Sequence, residues 1–595
     1  MKRILVMAAL LLAGIVSVAA RQVNEQDARQ KAERFMVRRA MTRSVANMTR
    51  VYVPTRTMSA MESQNDAPLY FFNIDGGGYV IVSGDDRTVE VLGFSKTGHI
   101  NPNRIPSNMR NWFDGYVRRI QSLPANASPK QCLTRAATSK ADIAPKLKTS
   151  WGQDWPYNVH TPELHVVWND MDTIVHAATG CVATAMAQMM NYYRYPDKTL
   201  MEHKSYTGTS DVPVGYSDEG PVDTLQVDWV TEDVPAGSAI DWANITDKYD
   251  EHSTEAQIEA VSRLIQYCGT SVNMYYGMES SARTDTLVYG LYDTFGYTDV
   301  YLLHQMNYDV QGWIDIVYEA LSNDGPLLFG GDCPNNKGGH QFILDGYASY
   351  DGADYFYANW GWDGENDGYM LLDVMSPGWI FDDDGSEIGF TESQVATPGL
   401  SPNSKGNALI DKNLYCEWLI LGTEGEVYKR QSELEGFEVD YSFYFGNYDF
   451  PHTNSLLGMG IFQNDQLVDG FSFSEEALDL PLWYYWGGET ESEDDVISFG
   501  EGLGDGVYQI KLISRDVEED EWKVCRFGDE NAVVMTIEGN TATFGSNIPS
   551  GIKPIVKDKV DSATATWHTL SGTRLSGMPS AKGIYIHNGR KVVIK

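Results

Sequence analysis

The chain has 595 residues, 42% of them hydrophobic and 12% aromatic, enough for three or four domains with cores of their own and too apolar for a disordered chain. Its 82 Asp and Glu against 45 Lys and Arg give a formal net charge of -37. Such a surface repels phosphate, which excludes nonspecific binding to nucleic acid or to an anionic membrane.

Met1-Lys2-Arg3, an apolar run from Ile4 to Val18 and the small residues Ala19-Ala20 have the pattern of a secretory signal peptide cleaved after Ala20. The run is short for a membrane anchor, and no later stretch is long and apolar enough to span. Gln26 to Met41 is rich in Ala, Arg, Lys and Glu and predicts a helix. Leu69 to Ile74 reads as a strand, Asp75-Gly76-Gly77-Gly78 as a tight turn, and Tyr79 to Asp85 as the return strand, with Val89 to Phe94 extending the sheet. Met109, Trp112, Phe113, Tyr116 and Ile120 give helical spacing over 108–122. Residues 21–140 thus form an α+β unit. Ser128 to Lys148, polar, basic and aperiodic, is expected to be an exposed, cleavable linker.

The next segment, 141–395, includes Ser150-Trp151-Gly152-Gln153 and then Thr179-Gly180-Cys181-Val182-Ala183-Thr184-Ala185-Met186-Ala187-Gln188. A glycine, a cysteine and an unbroken helical pattern put a thiol at a helix N-terminus, where free amides and the dipole favour the thiolate. Glu255 to Met274 predicts another helix; Pro326 to Gly330, Gln341 to Tyr347, Tyr355 to Trp360 and Gly368 to Met375 predict strands. The expectation is an α+β domain with the thiol on a helix and His340, after Gly338-Gly339, at the head of a strand. From about 405 to 545 short alternating runs between Gly, Asp and Asn predict an all-β, immunoglobulin-like sandwich. Residues 555–595 form a last small unit, in which Asn588-Gly589 signals a hairpin.

Six cysteines, Cys132, Cys181, Cys268, Cys333, Cys416 and Cys525, make neither a disulfide framework nor a CxxC pair, so no zinc site is expected. Cys416 and Cys525 are candidates for one bridge. His160, His165 and His176 lack an acidic or Cys partner in the pattern and read as loop histidines. Cys333 starts no helix and is a weaker nucleophile candidate than Cys181.

The order Cys181, His340, Asn359 is that of a thiol nucleophile, its imidazole partner and an orienting amide. Trp360 would shield the last contact from water. Gln153 is placed to join the Cys181 backbone amide in an oxyanion hole. This chemistry needs no metal or organic cofactor.

The blocks 179–188 and 338–347, with Asn359-Trp360-Gly361-Trp362-Asp363-Gly364 through Asp367-Gly368-Tyr369, resemble the streptopain family of papain-like cysteine peptidases, the interpain and periodontain types from Bacteroidetes above all. The resemblance covers roughly 21–395. It implies Cys181 and His340 as the catalytic pair, with Gln153, Asn359 and Trp360 in support. It also implies protein or peptide substrates bound through an apolar residue two before the scissile bond. Gly78-Tyr79-Val80-Ile81-Val82-Ser83-Gly84-Asp85 makes the 21–140 unit similar to that family's inhibitory prodomain, hence a zymogen cut within about 128–148. The 555–595 tail resembles the sorting domain of type IX secretion cargo, which implies a secretion machinery as partner and a secreted or cell-surface location. Two rivals stay open: an inactive surface binding protein, and a Cys-His acyltransferase on the same fold.

Overall fold

The computed structural model describes residues 22–38, 47–53, 67–102, 105, 107–123, 140–217, 220–332, 339–350, 352–372, 394–402, 408–423, 425–492, 494–546 and four short strands between 567 and 594. The expected signal peptide, Cys132, Cys333 and the Asn588-Gly589 turn lie outside the described residues. Backbone packing divides the chain into two units, Met1–Asp299 with Leu303–Asn407 and His568–Lys595, and Val300–Leu302 with Ala408–Trp567.

The first unit begins with helix α1 (Glu25–Arg38), whose Ala28, Ala32, Phe35 and Met36 bury one face at helical spacing. The Asn24 side chain caps it by accepting from the Asp27 amide at 2.9 Å. Strands β1 (Met48–Val51), β2 (Leu69–Ile74), β3 (Tyr79–Ser83) and β4 (Val91–Ser95) form an antiparallel meander. Gly76, Gly77 and Gly78 make the β2–β3 turn with φ of 92°, 108° and 103°, a conformation that side chains rarely adopt. Helix α2 (Ser107–Ser122) follows.

The hairpins β5 (Glu163–Trp168) with β6 (Met171–His176) and β7 (Thr207–Ser217) with β8 (Gly220–Val230) flank helix α3 (Cys181–Tyr193) in sequence. Helices α4 (Glu255–Ser271), α5 (Thr284–Tyr289) and α6 (Val310–Asp324) complete the helical part. Strands β9 (Leu303–His304), β10 (Leu327–Asp332), β11 (Gly339–Tyr350), β12 (Ala353–Asn359), β13 (Gly368–Leu371) and β14 (Val395–Thr397) then join the first four. One ten-stranded sheet results, ordered β1-β2-β3-β4-β13-β12-β11-β10-β14-β9. The seam is β4 against β13, with Tyr369 opposite Phe94 and Met370 opposite Gly93. A Cβ on Gly93 would stand 2.5 Å from the Met370 sulfur, so the seam needs a glycine there.

One sequence expectation, the 128–148 linker, is corrected over 140–148; its residues 128–139 lie outside the described residues. Residues 140–148 are not a free linker but a strap along β11. Ile143 and Tyr347 exchange backbone hydrogen bonds of 2.8 Å in both directions. Asp345 Oδ2 accepts from the amides of Lys146 at 2.9 Å and Leu147 at 2.7 Å. Lys140 Nζ lies 2.7 Å from Asp315 and 3.4 Å from Asp354, and Lys146 Nζ donates to the Leu321 carbonyl at 3.2 Å.

The named strands of the second unit pair antiparallel, and an isolated parallel bridge joins Tyr415 to Arg526. Tyr415–Leu421, Tyr441–Gly446 and Tyr485–Glu489 form one sheet, and His452–Gln463, Gly506–Asp516 and Val533–Glu538 are central to a larger one. Leu457, Met459, Ile510, Leu512 and Met535 are fully buried between them. Cys416 and Cys525 sit in this core and are not joined by a disulfide. In the tail, Gly583–His587 pairs antiparallel with Arg590–Ile594. Among the described residues no helix is long and apolar enough to cross a membrane.

Candidate active site

Helix α3 starts at Cys181 because Gly180 precedes it with φ 83° and ψ 139°. A Cβ at Gly180 would fall 2.6 Å from the Met274 sulfur, so close packing as well as backbone angle calls for glycine. Ten of the thirteen residues of α3 are buried, and the helix packs on β10, β11 and α4. This fixes where its first turn presents the thiol.

Three other segments converge there. Gln153, itself buried, accepts the Thr179 amide on its backbone carbonyl at 3.0 Å, which ties the 151–153 stretch to the residues just before Cys181. The Asp363 amide donates to the Trp151 carbonyl at 3.1 Å, and a Cβ on Gly152 would meet the Asp363 carboxylate at 2.5 Å. From β11, the backbone amide of Gln341, next to His340, faces the Cys181 sulfur.

Cys181 is half-buried as a residue. Burial of its sulfur pushes the thiol above its ordinary value, against the pull of the amides of Gln341, Val182 and Cys181 itself. The helix-start amides are therefore present as the sequence predicted, but in this covered state desolvation outweighs them.

His340 is buried and its Nε2 donates to the Trp360 carbonyl oxygen at 3.1 Å. In the neutral ring the lone pair is then on Nδ1. The imidazole lies near-parallel to both Trp360 (centroids 6.1 Å apart, 15°) and Phe342 (5.8 Å, 22°), whose own centroids are 4.5 Å apart. Burial pushes its pKa down to about 4, only partly offset by the Trp360 carbonyl.

Asn359 does not take the place expected of it. Its Nδ2 donates to the Thr149 carbonyl at 3.1 Å and to Gln188 Oε1 at 3.4 Å; its Oδ1 accepts from Gln188 Nε2 at 3.3 Å and from the Gly361 amide at 3.1 Å. That last donor belongs to the same peptide unit as the Trp360 carbonyl. Asn359 is thus hydrogen-bonded to the peptide whose carbonyl accepts from the imidazole, and Trp360 supplies both that acceptor and a neighbouring ring.

Sequence reasoning missed Gln188, Thr149 and Asp367 as members of the site. Thr149 Oγ1 donates to Gln188 Oε1 at 2.7 Å, closing a buried triangle with Asn359. Gln188 lies two turns after Cys181 on α3, and a polar residue in so apolar a helix was the signal available. His160, by contrast, meets Glu259 at 2.6 Å and belongs to another surface. Among the described residues no cluster of His, Cys, Asp and Glu could hold a metal ion.

The N-terminal segment covers the imidazole side. Trp112 of α2 packs edge-on against both Phe342 and Trp360, each at 5.8 Å. The Tyr116 hydroxyl reaches the Leu371 carbonyl, and the Tyr79 hydroxyl donates to the Asn366 carbonyl at 2.7 Å.

The Peptidase C10 family matches residues 151–370, and the Spi protease inhibitor family matches residues 20–120. Streptopain of Streptococcus pyogenes is 31% identical over 389 residues, covering 64% of this chain and 92% of streptopain. The thiol protease/hemagglutinin PrtT of Porphyromonas gingivalis is 27% identical over 420 residues, covering 68% of this chain and 45% of PrtT. A solved fragment of Prevotella intermedia prointerpain A is 28% identical, covering 60% of this chain and 98% of the fragment, with a TM-score of 0.43.

Proposed function

The chain belongs to the Peptidase C10 family and is a cysteine peptidase with an inhibitor-like N-terminal domain, and from that premise we propose that it is an exported endopeptidase made as a zymogen, with Cys181 as nucleophile and His340 as general acid and base. The observation that carries this reading is the meeting of α3 and β11. The Cys181 sulfur faces the Gln341 amide, and the neighbouring His340 is oriented by the Trp360 carbonyl.

In the proposed reaction the Cys181 thiolate attacks the scissile carbonyl, with its proton held on His340 Nδ1. The backbone amide of Cys181 and the Gln153 side-chain amide receive the oxyanion. The tetrahedral species collapses as His340 protonates the leaving amine, and water then hydrolyses the acyl-enzyme by the reverse sequence.

The covered state supports the zymogen reading. A thiol pushed up and an imidazole pushed down disfavour the thiolate–imidazolium pair, and both shifts come from burial. Removing the domain over 21–140 would rehydrate the His340 side by taking Trp112 from it. The reading includes an apolar-preferring substrate site, an immunoglobulin-like sandwich over 405–545 and a type IX sorting tail over 555–595. It also includes export by the 1–20 leader.

Full-length precursor and its Cys181→Ala variant, followed by intact mass under mild reduction, test this. We expect the wild type alone to lose the segment before about residue 140 and a thiol alkylator to stop it. Opening the segment with an added protease should then yield casein cleavage. Persistent inactivity after that opening would sink the peptidase mechanism in favour of a binding protein, and amine incorporation without cleavage would point to an acyltransferase.

A further inference from the structure

Asp367 is a half-buried carboxyl that the mechanism above does not use, and it stands at the base of the loop that holds His340. Its Oδ1 accepts the Trp360 backbone amide at 2.9 Å. Trp360 is the residue whose carbonyl accepts from His340 Nε2 at 3.1 Å. The backbone of residue 360 is therefore fixed at both ends: its amide by Asp367, and the peptide bearing its carbonyl by Asn359 through the Gly361 amide at 3.1 Å.

We propose that Asp367 is a positioning residue for peptide hydrolysis, fixing the Trp360 backbone so that its carbonyl aims the His340 imidazole at the Cys181 sulfur. The inference rests on the reading of Cys181 and His340 given under Proposed function.

The loop needs such a tether. Gly361, Asp363, Gly364 and Asn366 hold positive φ of 73°, 53°, 74° and 65°, an arrangement that persists only where its surroundings over-determine it. The bond from Asp367 to Trp360 closes the loop across that strained stretch. Burial, and next to it the nearby Asp345, oppose ionisation of Asp367, while the Trp360 amide favours it; the balance holds the acid up at about 8. At neutral pH the group is then a neutral acceptor, and it adds no charge that would compete with Cys181 for the imidazolium. Tyr79, Tyr357 and Asp345 also lie within electrostatic range of it. Losing the first bond frees the Trp360 backbone to rotate and so weakens the aim of the second.

The test uses processed wild-type enzyme and processed Asp367→Ala, Asp367→Leu and Asp367→Asn, each normalised by active-site titration with an alkylator. Alanine and leucine should lower kcat by about tenfold or more with KM within about twofold, because binding is untouched while the base is misaimed. Both should also change the pH profile of Cys181 alkylation, whose limbs report the thiol–imidazole couple. Asparagine, which keeps an acceptor oxygen, should recover most of the lost rate. Unchanged kcat per titrated site and an unchanged alkylation profile in the alanine variant would overturn the proposal, whatever happens to its melting temperature. An asparagine variant as impaired as alanine would overturn the acceptor argument. Should leucine overpack and fail to fold, alanine decides. His340→Ala runs beside them: if it stays active the parent reading falls, whereas a dead His340→Ala with a normal Asp367→Ala removes Asp367 alone.

Discussion

The two units bury polar groups for different ends. In the second, Arg430 is buried and its guanidinium donates to the carbonyls of Gly500 and Leu503, both at 2.6 Å, closing turns at the edge of the sheets. Asn447 does the same for the carbonyls of Phe450 and Leu480 at 2.7 and 2.8 Å. These side chains satisfy backbone. Around β11 and β12 of the first unit, His340, Asp345, Asn359 and Gln188 are buried and Asp367 is half-buried, and three of these are pushed far from their ordinary acidities. Displaced titratable groups gathered where a thiol, an imidazole and a strained loop meet mark chemistry, whereas a buried cation facing carbonyls marks architecture.

The thiols offer the sharpest way to break that contrast. Cys181→Ala should abolish peptide hydrolysis, a loss of about 10,000-fold or more, measured as kcat/KM on a fluorogenic peptide. Cys525, fully buried and pushed up to about 12 by desolvation, should tolerate alanine with kcat unchanged and a stability loss of about 1–2 kcal/mol in urea. Equal effects on rate from the two variants would erase the distinction.

Trp112 tests the cover over the site. Truncating a buried tryptophan to alanine removes about 3–5 kcal/mol of packing. Here that packing joins α2 to Phe342 and Trp360. The precursor carrying Trp112→Ala should process faster than wild type, seen as an earlier mass shift at equal concentration. A precursor that processes no faster would mean that the contact contributes nothing to inhibition. In the second unit, Arg430→Met keeps the aliphatic volume but strands the Gly500 and Leu503 carbonyls. It should cost about 2–3 kcal/mol in urea denaturation and leave kcat of the processed enzyme alone.

How much of this the sequence revealed depended on the range of the interaction that decides each feature. Strand β2 falls at Leu69–Ile74 as its apolar run and the glycine turn require, and α3 begins at Cys181 because the signal, Gly180, is adjacent. Both are local. The hairpins β5–β6 and β7–β8 went unread, since β5 alternates buried with exposed residues but β6 is exposed or half-buried along its length. Helix α6 went unread although Asp309 caps it, accepting from the Gly312 amide at 2.6 Å. The seam of β4 with β13 joins residues 93–94 to 369–370, and no local pattern encodes such a partner. The same holds for Asn359. Its position at the end of a strand was legible, but its hydrogen-bond partners come from 149, 188 and 361, and only the folded chain brings them together.

The smallest expected effect is a dependence of stability on pH that the first unit should show and the second should not. Asp345 is pushed up to about 7 and Asp367 to about 8, chiefly by burial. A carboxyl with a folded pKa above its unfolded one holds more protons in the folded state between the two values, so stability falls as pH rises through that window, here from about 4 to 7 or 8. His340, pushed down to about 4, acts oppositely: the folded state holds fewer protons between about 4 and 6.5, and stability rises there. The terms oppose each other up to about pH 6.5; above it only the carboxyls remain. The precursor should therefore lose on the order of 1 kcal/mol between pH 6.5 and 8 in the urea transition of the first unit. Cys525, pushed up to about 12, brings no change to the second unit in that interval. Asp345→Asn, which keeps an oxygen for the Lys146 and Leu147 amides, should flatten the slope, and combining it with Asp367→Asn should flatten it further. A double variant with the wild-type slope would place the titrating groups elsewhere and remove the electrostatic half of the contrast between the units.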